Sequence, residues 1–316
     1  MNAALTLLAG AAVAGWLVPG LLARADLRRR DPVPLIVAWL VSGTAVLLAA
    51  AVGVVLLLLP NHGPSPSLLA AAHSCWSAVQ HGSPPRVEEV AGLVGVALLV
   101  ALVARLVVVS ARGFRQRGRK RQDNLAVLRM VARPATGDIL WLAHDEPLAF
   151  SMTGRPGVVV ATEGLTRHLD RRAVAAVLAH EMAHLTGRHH LLIAIADALR
   201  AAAPFVPLCR QAPRAIRALA ELAADGTAAR ACGPAAVRTA LLRVTRHDNL
   251  PSTSLAMARD AVALRLARLR RGPPQRSGLR RTVSCGLVGV MAAAVPFLAG
   301  TAFLLGIAVL TCPLGG

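Results

Sequence analysis

The sequence predicts an α-helical membrane protein with a mixed α+β domain on the cytosolic side, three spans before that domain and one after it. Three observations carry this. Four apolar runs are each long enough to cross a bilayer. Arginine clusters flank the runs on alternating sides. Between the third and fourth runs, about 112 to 282, short strand-like segments give way to amphipathic helices. Composition agrees. The chain is 55% hydrophobic with a formal charge of +19, and its basic residues are all arginine except Lys120. The arginines sit beside apolar spans, aromatics are few and no RNA- or DNA-binding signature is present, so nucleic acid is not the expected partner.

The first span is Asn2 to Ala23. No basic residue precedes it, and Arg24, Arg28, Arg29 and Arg30 follow directly, which separates it from a signal peptide and places the N-terminus outside. The second span is about 33 to 59. Residues 60–86 hold Pro, Ser, Gly and His with Arg86 as the only basic residue, as an outer loop would. The third span is 87–110, with Glu88 and Glu89 at its outer mouth and Arg105 snorkelling at its inner end. The cluster Arg112, Arg115, Arg117, Arg119, Lys120 and Arg121 then anchors the cytosolic side. After the domain, Arg276, Arg280 and Arg281 precede a fourth span from Val283 to about Thr311, and residues 283–316 end in a short outer tail. The expected location is the cell membrane, with the bilayer itself as one partner. The five cysteines show no CxxC spacing. Cys209, Cys232 and Cys285 fall inside and are expected reduced; Cys75 and Cys312 fall outside, either bridged or as two free thiols.

Within the domain, Ile139–Ala143 reads as a strand, and Leu148–Met152 with Val158–Ala161 as a hairpin around Thr153–Gly157. A helix follows from an Asp170 N-cap to about Leu185, with Val174, Val177, Leu178 and Leu185 at helical spacing. It carries His180-Glu181-Met182-Ala183-His184, the HExxH pattern. Residues four apart share a helix face, so two imidazoles can grip one metal ion while Glu181 takes a proton from water. Zinc is the default ion for two imidazoles and a carboxylate. The plain alternative is a polar helix face.

A zinc peptidase needs a third ligand, and two candidates compete. Glu221 lies in a second amphipathic helix expected from about Pro213 to Ala231, and Asp225, one turn on, can hold a ligating histidine from behind. His190 completes the metzincin pattern HExxHxxGxxH with Gly187 as the turn. If helix continues or resumes quickly past Gly187, His190 is turned away from the metal; Glu221 is therefore preferred. Leu191–Ala203 is apolar but too short to span, and reads as a core or interfacial helix. Helices about Pro234–Arg246 and Ser254–Arg271 follow, the latter expected against the domain or the inner leaflet. In zinc peptidases with this helix an edge strand pairs with substrate backbone, and Phe150, Ser151 and Met152 are the candidates here; otherwise they form an ordinary edge.

The layout and motifs resemble the BlaR/MecR-type membrane metallopeptidases. The resemblance rests on Val158 through Asp170, on Ala176 to Glu181, on Arg188-His189-His190-Leu191, and on Glu221-Leu222-Ala223-Ala224-Asp225. It implies a cytosolic zincin-like domain of the gluzincin type. It also implies His180, His184 and Glu221 on Zn2+, Glu181 as general base, Asp225 behind a ligand, and a BlaI-type repressor as protein substrate in signal transduction. The antibiotic-sensing members carry a penicillin-binding domain after the fourth span, which this sequence does not, so β-lactam sensing is not implied. HtpX-type quality-control proteases share the motif with a different span layout. Site-2-type proteases use an LDG motif, and Asp225-Gly226 lacks its leucine. Tyrosine is absent, which leaves His247, Arg188, His189 or the metal alone to steady an oxyanion. A different class of reading is a non-catalytic membrane sensor or scaffold with a structural zinc site; Glu181, useless there, favours the enzyme.

Overall fold

A computed structural model describes residues 2–27, 30–58, 133–134, 138–154, 156–247, 255–272 and 278–311, with scattered positions between 97 and 113. The expected outer loop, most of the expected third span and following basic cluster, Cys75 and Cys312 lie outside the described residues.

Helices α1 (Asn2–Ala23) and α2 (Pro32–Leu58) form a hairpin of apolar residues. The strands are β1 (Arg133–Pro134), β2 (Ile139–Leu142), β3 (Ala149–Met152) and β4 (Val158–Thr162). Then come α3 (Glu163–His168), α4 (Arg171–Thr186), α5 (His189–Ala202), α6 (Pro207–Cys232), α7 (Pro234–His247), α8 (Leu255–Arg271) and α9 (Gly278–Thr311). Among the described residues, three helices are long and apolar enough to cross a membrane: Ala3–Ala23, Pro32–Leu56 and Leu279–Gly306. Small residues let α1 and α9 meet closely. A Cβ on Gly10 would overlap the Pro296 carbonyl, and one on Gly300 the Thr6 carbonyl.

The sheet among the described residues has the order β1-β2-β4-β3. β4 is buried throughout and runs parallel to β2, while β3 pairs antiparallel to β4 and, among the described residues, with no strand on its other side. The Leu148 carbonyl accepts from the Thr162 N–H at 3.0 Å. By alternation, Ala149 and Ser151 turn their backbone groups to the open edge.

Among the described residues, two larger cores hold the helices. One gathers Leu165, Ala173, Ala176, Ala228, Val237, Leu241 and Leu269 beneath β4 and α4. The other joins the α1–α2 hairpin to Ala196 of α5 and to Leu208, Ala212, Ile216 and Leu219 of α6. Leu199 packs on Gly43 and Val206 on Gly15. The apolar stretch read as a core or interfacial helix is thus α5, seated alongside the two apolar helices. The Arg105 guanidinium, expected to snorkel, donates to the Ala201 carbonyl at the end of α5 at 2.8 Å.

The expected start of the Glu221 helix needs correction. Proline normally ends a helix pattern, so Pro213 reads as the first turn. In fact α6 starts at Pro207 and runs straight through Pro213. An internal proline costs about 3 kcal/mol. Full burial of Leu208, Ile216 and Leu219 against the hairpin contributes roughly 1.5–3 kcal/mol each and outweighs it.

Candidate metal centre

Helix α4 begins where its cap predicts: Asp170 accepts from the Ala173 N–H at 2.8 Å. It ends at Gly187, and Arg188 is the one residue besides glycine with positive φ among those described, at 48°. That left-handed step starts α5 at His189. A Cβ on Gly187 would lie 2.6 Å from His189 Nε2, so only glycine leaves room for the ring.

The turn separates the two candidates for third ligand in space. His190 faces out, whereas Glu221 meets both imidazoles. His180 Nε2 and His184 Nε2 are 3.2 Å apart. Each lies 3.4 Å from one oxygen of Glu221, Oε2 for His180 and Oε1 for His184. Zinc bonds of about 2.0–2.2 Å in tetrahedral geometry set ligand atoms about 3.3–3.5 Å apart. The three side chains therefore fit that ion in both chemistry and spacing.

Behind this triangle each imidazole has its own support. His180 Nδ1 lies 3.0 Å from Asp225 Oδ1. Asp225 is buried and gripped on both oxygens by Arg265 of α8, Nε to Oδ2 at 2.6 Å and a terminal nitrogen to Oδ1 at 2.7 Å. Another Arg265 nitrogen lies 3.3 Å from Glu221 Oε2. One turn further, Arg268 donates to the Leu27 and Arg30 carbonyls between α1 and α2, at 2.7 and 2.6 Å. On the other side, His184 Nδ1 lies 3.0 Å from Nδ1 of buried His189.

The charges follow from these contacts. Burial works against protonation of His180, but hydrogen bonds to Asp225 and Glu221 outweigh it and lift its pKa to about 9. Burial also disfavours ionised Asp225, yet Arg265 and His180 hold it down at about 2. Burial lowers His184, and His189 falls to about 4 through burial and the adjacent His184. Glu221 is lowered despite burial, by His180 and Arg265. Glu181 is raised by burial, against the pull of His180 and of hydrogen bonds from the Ser151 hydroxyl and backbone.

Of the substrate-strand candidates, Ser151 thus touches Glu181 from the open edge. Phe150 is exposed and Met152 half-buried, both on backbone that pairs inward with β4. A cavity of about 210 Å³ adjoins the site, with Val177, Val237, Leu241 and Val244 on its apolar wall. Of the oxyanion candidates, His189 is engaged with His184, Arg188 is exposed at the turn, and the His247 side chain lies outside the described residues.

Sequence reasoning missed two supports. Arg265 lies on the helix expected against the domain or the inner leaflet, and that expectation assigns it nothing at the site. Its signal was its place on the apolar stripe of α8, three residues after Val262 and four before Leu269. His189 figures in the sequence within Arg188-His189-His190-Leu191 and among the oxyanion candidates, not as a partner of His184.

No curated protein and no solved structure matches the chain. Residues 115–257, which hold the sheet, helices α3 to α7 and every side chain of the site except Arg265, match peptidase family M48, and this match supports a metallopeptidase.

Proposed function

We propose that the chain is a membrane-embedded zinc metalloendopeptidase that cleaves a protein or peptide at its cytosolic face. The observation that carries this is the tetrahedral spacing of the His180, His184 and Glu221 ligand atoms with Glu181 alongside. His180, His184 and Glu221 hold the ion. When bound, zinc supplies a Lewis-acid charge that acidifies water and polarises a carbonyl. Glu181 takes the proton of the attacking water, and its burial raises its proton affinity toward the range useful for passing that proton to the leaving amine. Asp225 and His189 fix the ring orientation of the two histidines.

Substrate lies along the open edge of β3, where Ser151 presents backbone next to Glu181. The apolar wall of Val177, Val237, Leu241 and Val244 favours an apolar substrate side chain beside the scissile bond. The resemblance to BlaR/MecR-type proteins adds a BlaI-type repressor as the substrate to try first. An HtpX-type quality-control role uses the same chemistry on misfolded membrane proteins, and co-expression with each substrate type separates the two.

The test is Glu181→Gln in the full chain. Cleavage of casein or a co-expressed partner is expected to fall by about 10²–10⁴-fold, with one zinc per chain retained. Unchanged cleavage would falsify the peptidase reading. Retained zinc with an inert wild type would instead favour the structural-site scaffold.

A further inference from the structure

A second cavity, of about 610 Å³, lies away from the metal site, where α6 passes the loop end of the α1–α2 hairpin. One wall is apolar and belongs to the hairpin: Leu22, Leu35 and Trp39. The facing wall belongs to α6 and is basic: Arg210, Arg214 and Arg217. Arg217 is fixed by Asp197, at 2.9 and 3.1 Å. No acidic side chain lines the cavity among the described residues, so every charged group on its wall is an arginine.

Depth fits the two walls together. Val206, just before α6, touches Gly15 about two turns before the end of α1. At 1.5 Å per residue, that contact lies roughly 12 Å inside the loop end of the hairpin. Arg210 then lies roughly 6 Å down α6, and Arg214 roughly 12 Å down, level with the end of α1. If α1 and α2 span the bilayer, Arg210 therefore lies level with Leu35 and Trp39 at the start of the acyl region, and Arg214 and Arg217 reach outward into the headgroup layer.

We propose that this cavity binds an anionic phospholipid, its phosphate between Arg210 and Arg214 and its acyl chain against Leu22, Leu35 and Trp39. Basic pockets beside membrane helices on the inner face suit such headgroups. A zwitterionic lipid offers the same chain but brings its own cation to an arginine-lined mouth. The site is also mechanically joined to the metal centre. Arg210, Arg214, Arg217, Glu221 and Asp225 follow at spacings of four, three, four and four, one stripe of a single helix. An occupied cavity braces the helix that carries Glu221.

The experiment uses the full chain in neutral detergent, with Trp16→Phe, Trp76→Phe and Trp141→Phe so that Trp39 reports alone. Brominated phosphatidylglycerol and brominated phosphatidylcholine are titrated in turn. Saturable quenching of Trp39 by phosphatidylglycerol is expected, at least about fivefold tighter than by phosphatidylcholine. Arg210→Gln or Arg214→Gln should each weaken it about fivefold, and the pair about thirtyfold. Circular dichroism must show the pair folded; if it is not, native mass spectrometry of the single variants gives the same comparison. Equal quenching by the two lipids, or affinity unchanged in the folded variants, overturns the proposal. Displacement of the lipid by millimolar inorganic phosphate with Trp39 left unshielded also overturns it, since that outcome describes a free-anion site.

Discussion

The two imidazoles of the candidate metal site are held from behind by opposite chemistries. His180 leans on a charged chain, Asp225 to Arg265, carried by α8, and α8 is itself tied by Arg268 to the α1–α2 loop. His184 leans on a neutral ring, His189, supplied locally by the turn after its own helix. The charged side couples the metal site to the apolar hairpin. The neutral side ends at one contact between two rings, and the packing of α5 on the hairpin passes through apolar residues and no charged group of the site. Loss of a support should therefore spread on one side and stay local on the other.

The largest effect is expected from Arg265→Ala. It leaves the Asp225 carboxylate buried without its cation, a loss of about 3–5 kcal/mol when a buried pair is broken. Zinc affinity should fall about 10–100-fold as the His180 ring loses its fixed partner. The double change Asp225→Leu with Arg265→Met sharpens this, because it removes both charges. Thermal stability should return close to the parent while zinc affinity stays low. Chelator competition and calorimetric unfolding read the two quantities separately. If Arg265→Ala melts with the parent, the charged support is not structural.

His189→Leu comes next. It removes one neutral hydrogen bond, worth about 1 kcal/mol. Zinc affinity should drop about tenfold, the low end for an outer partner of a ligand. His190→Ala is the internal comparison and should leave metal affinity within about twofold, since His190 faces outward. Equal losses in the two variants would remove His189 from its assigned place.

How much of this was legible in the sequence depends on where the signal sits. The metal helix was legible because its cap, its apolar period and both histidines all lie within one local segment. Glu221 and Asp225 were legible because one turn separates them on a second helix. The early half of α6 was not, because Pro213 argues locally for a helix start and only burial against α1 and α2 overrides it. Arg265 was hidden among Arg268, Arg270 and Arg271, which a one-dimensional reading cannot tell apart. His189 was hidden by a backbone step: Arg188 turning left-handed brings residue 189, not 190, back to the metal helix. The mixed strands were legible as strands, but not that β3 turns Ser151 toward Glu181, which is a matter of pairing register.

The effect that distinguishes the two sides most directly is that of pH, because it differs in sign. In chelator-treated protein, His180 has a pKa of about 9 against an ordinary 6.5. Its folded state binds the proton more tightly than the unfolded chain, so its contribution to stability is complete below pH 6.5 and is lost as pH rises through about 9. His189 lies at about 4. Its neutral form is the favoured one, so its contribution is complete above pH 6.5 and is lost as pH falls toward 4. Asp225 adds a further loss only below its ordinary value, toward about 2. Melting temperature against pH should therefore show two limbs meeting near neutrality. Asp225→Asn should flatten the alkaline limb, and His189→Leu the limb between pH 6.5 and 4. Ligation requires His180 without its proton, so zinc binding near pH 7.5 should release about one proton, seen as a dependence of binding heat on buffer ionisation enthalpy. A proton count near zero, or both limbs surviving in both variants, would mean that the two imidazoles are supported alike.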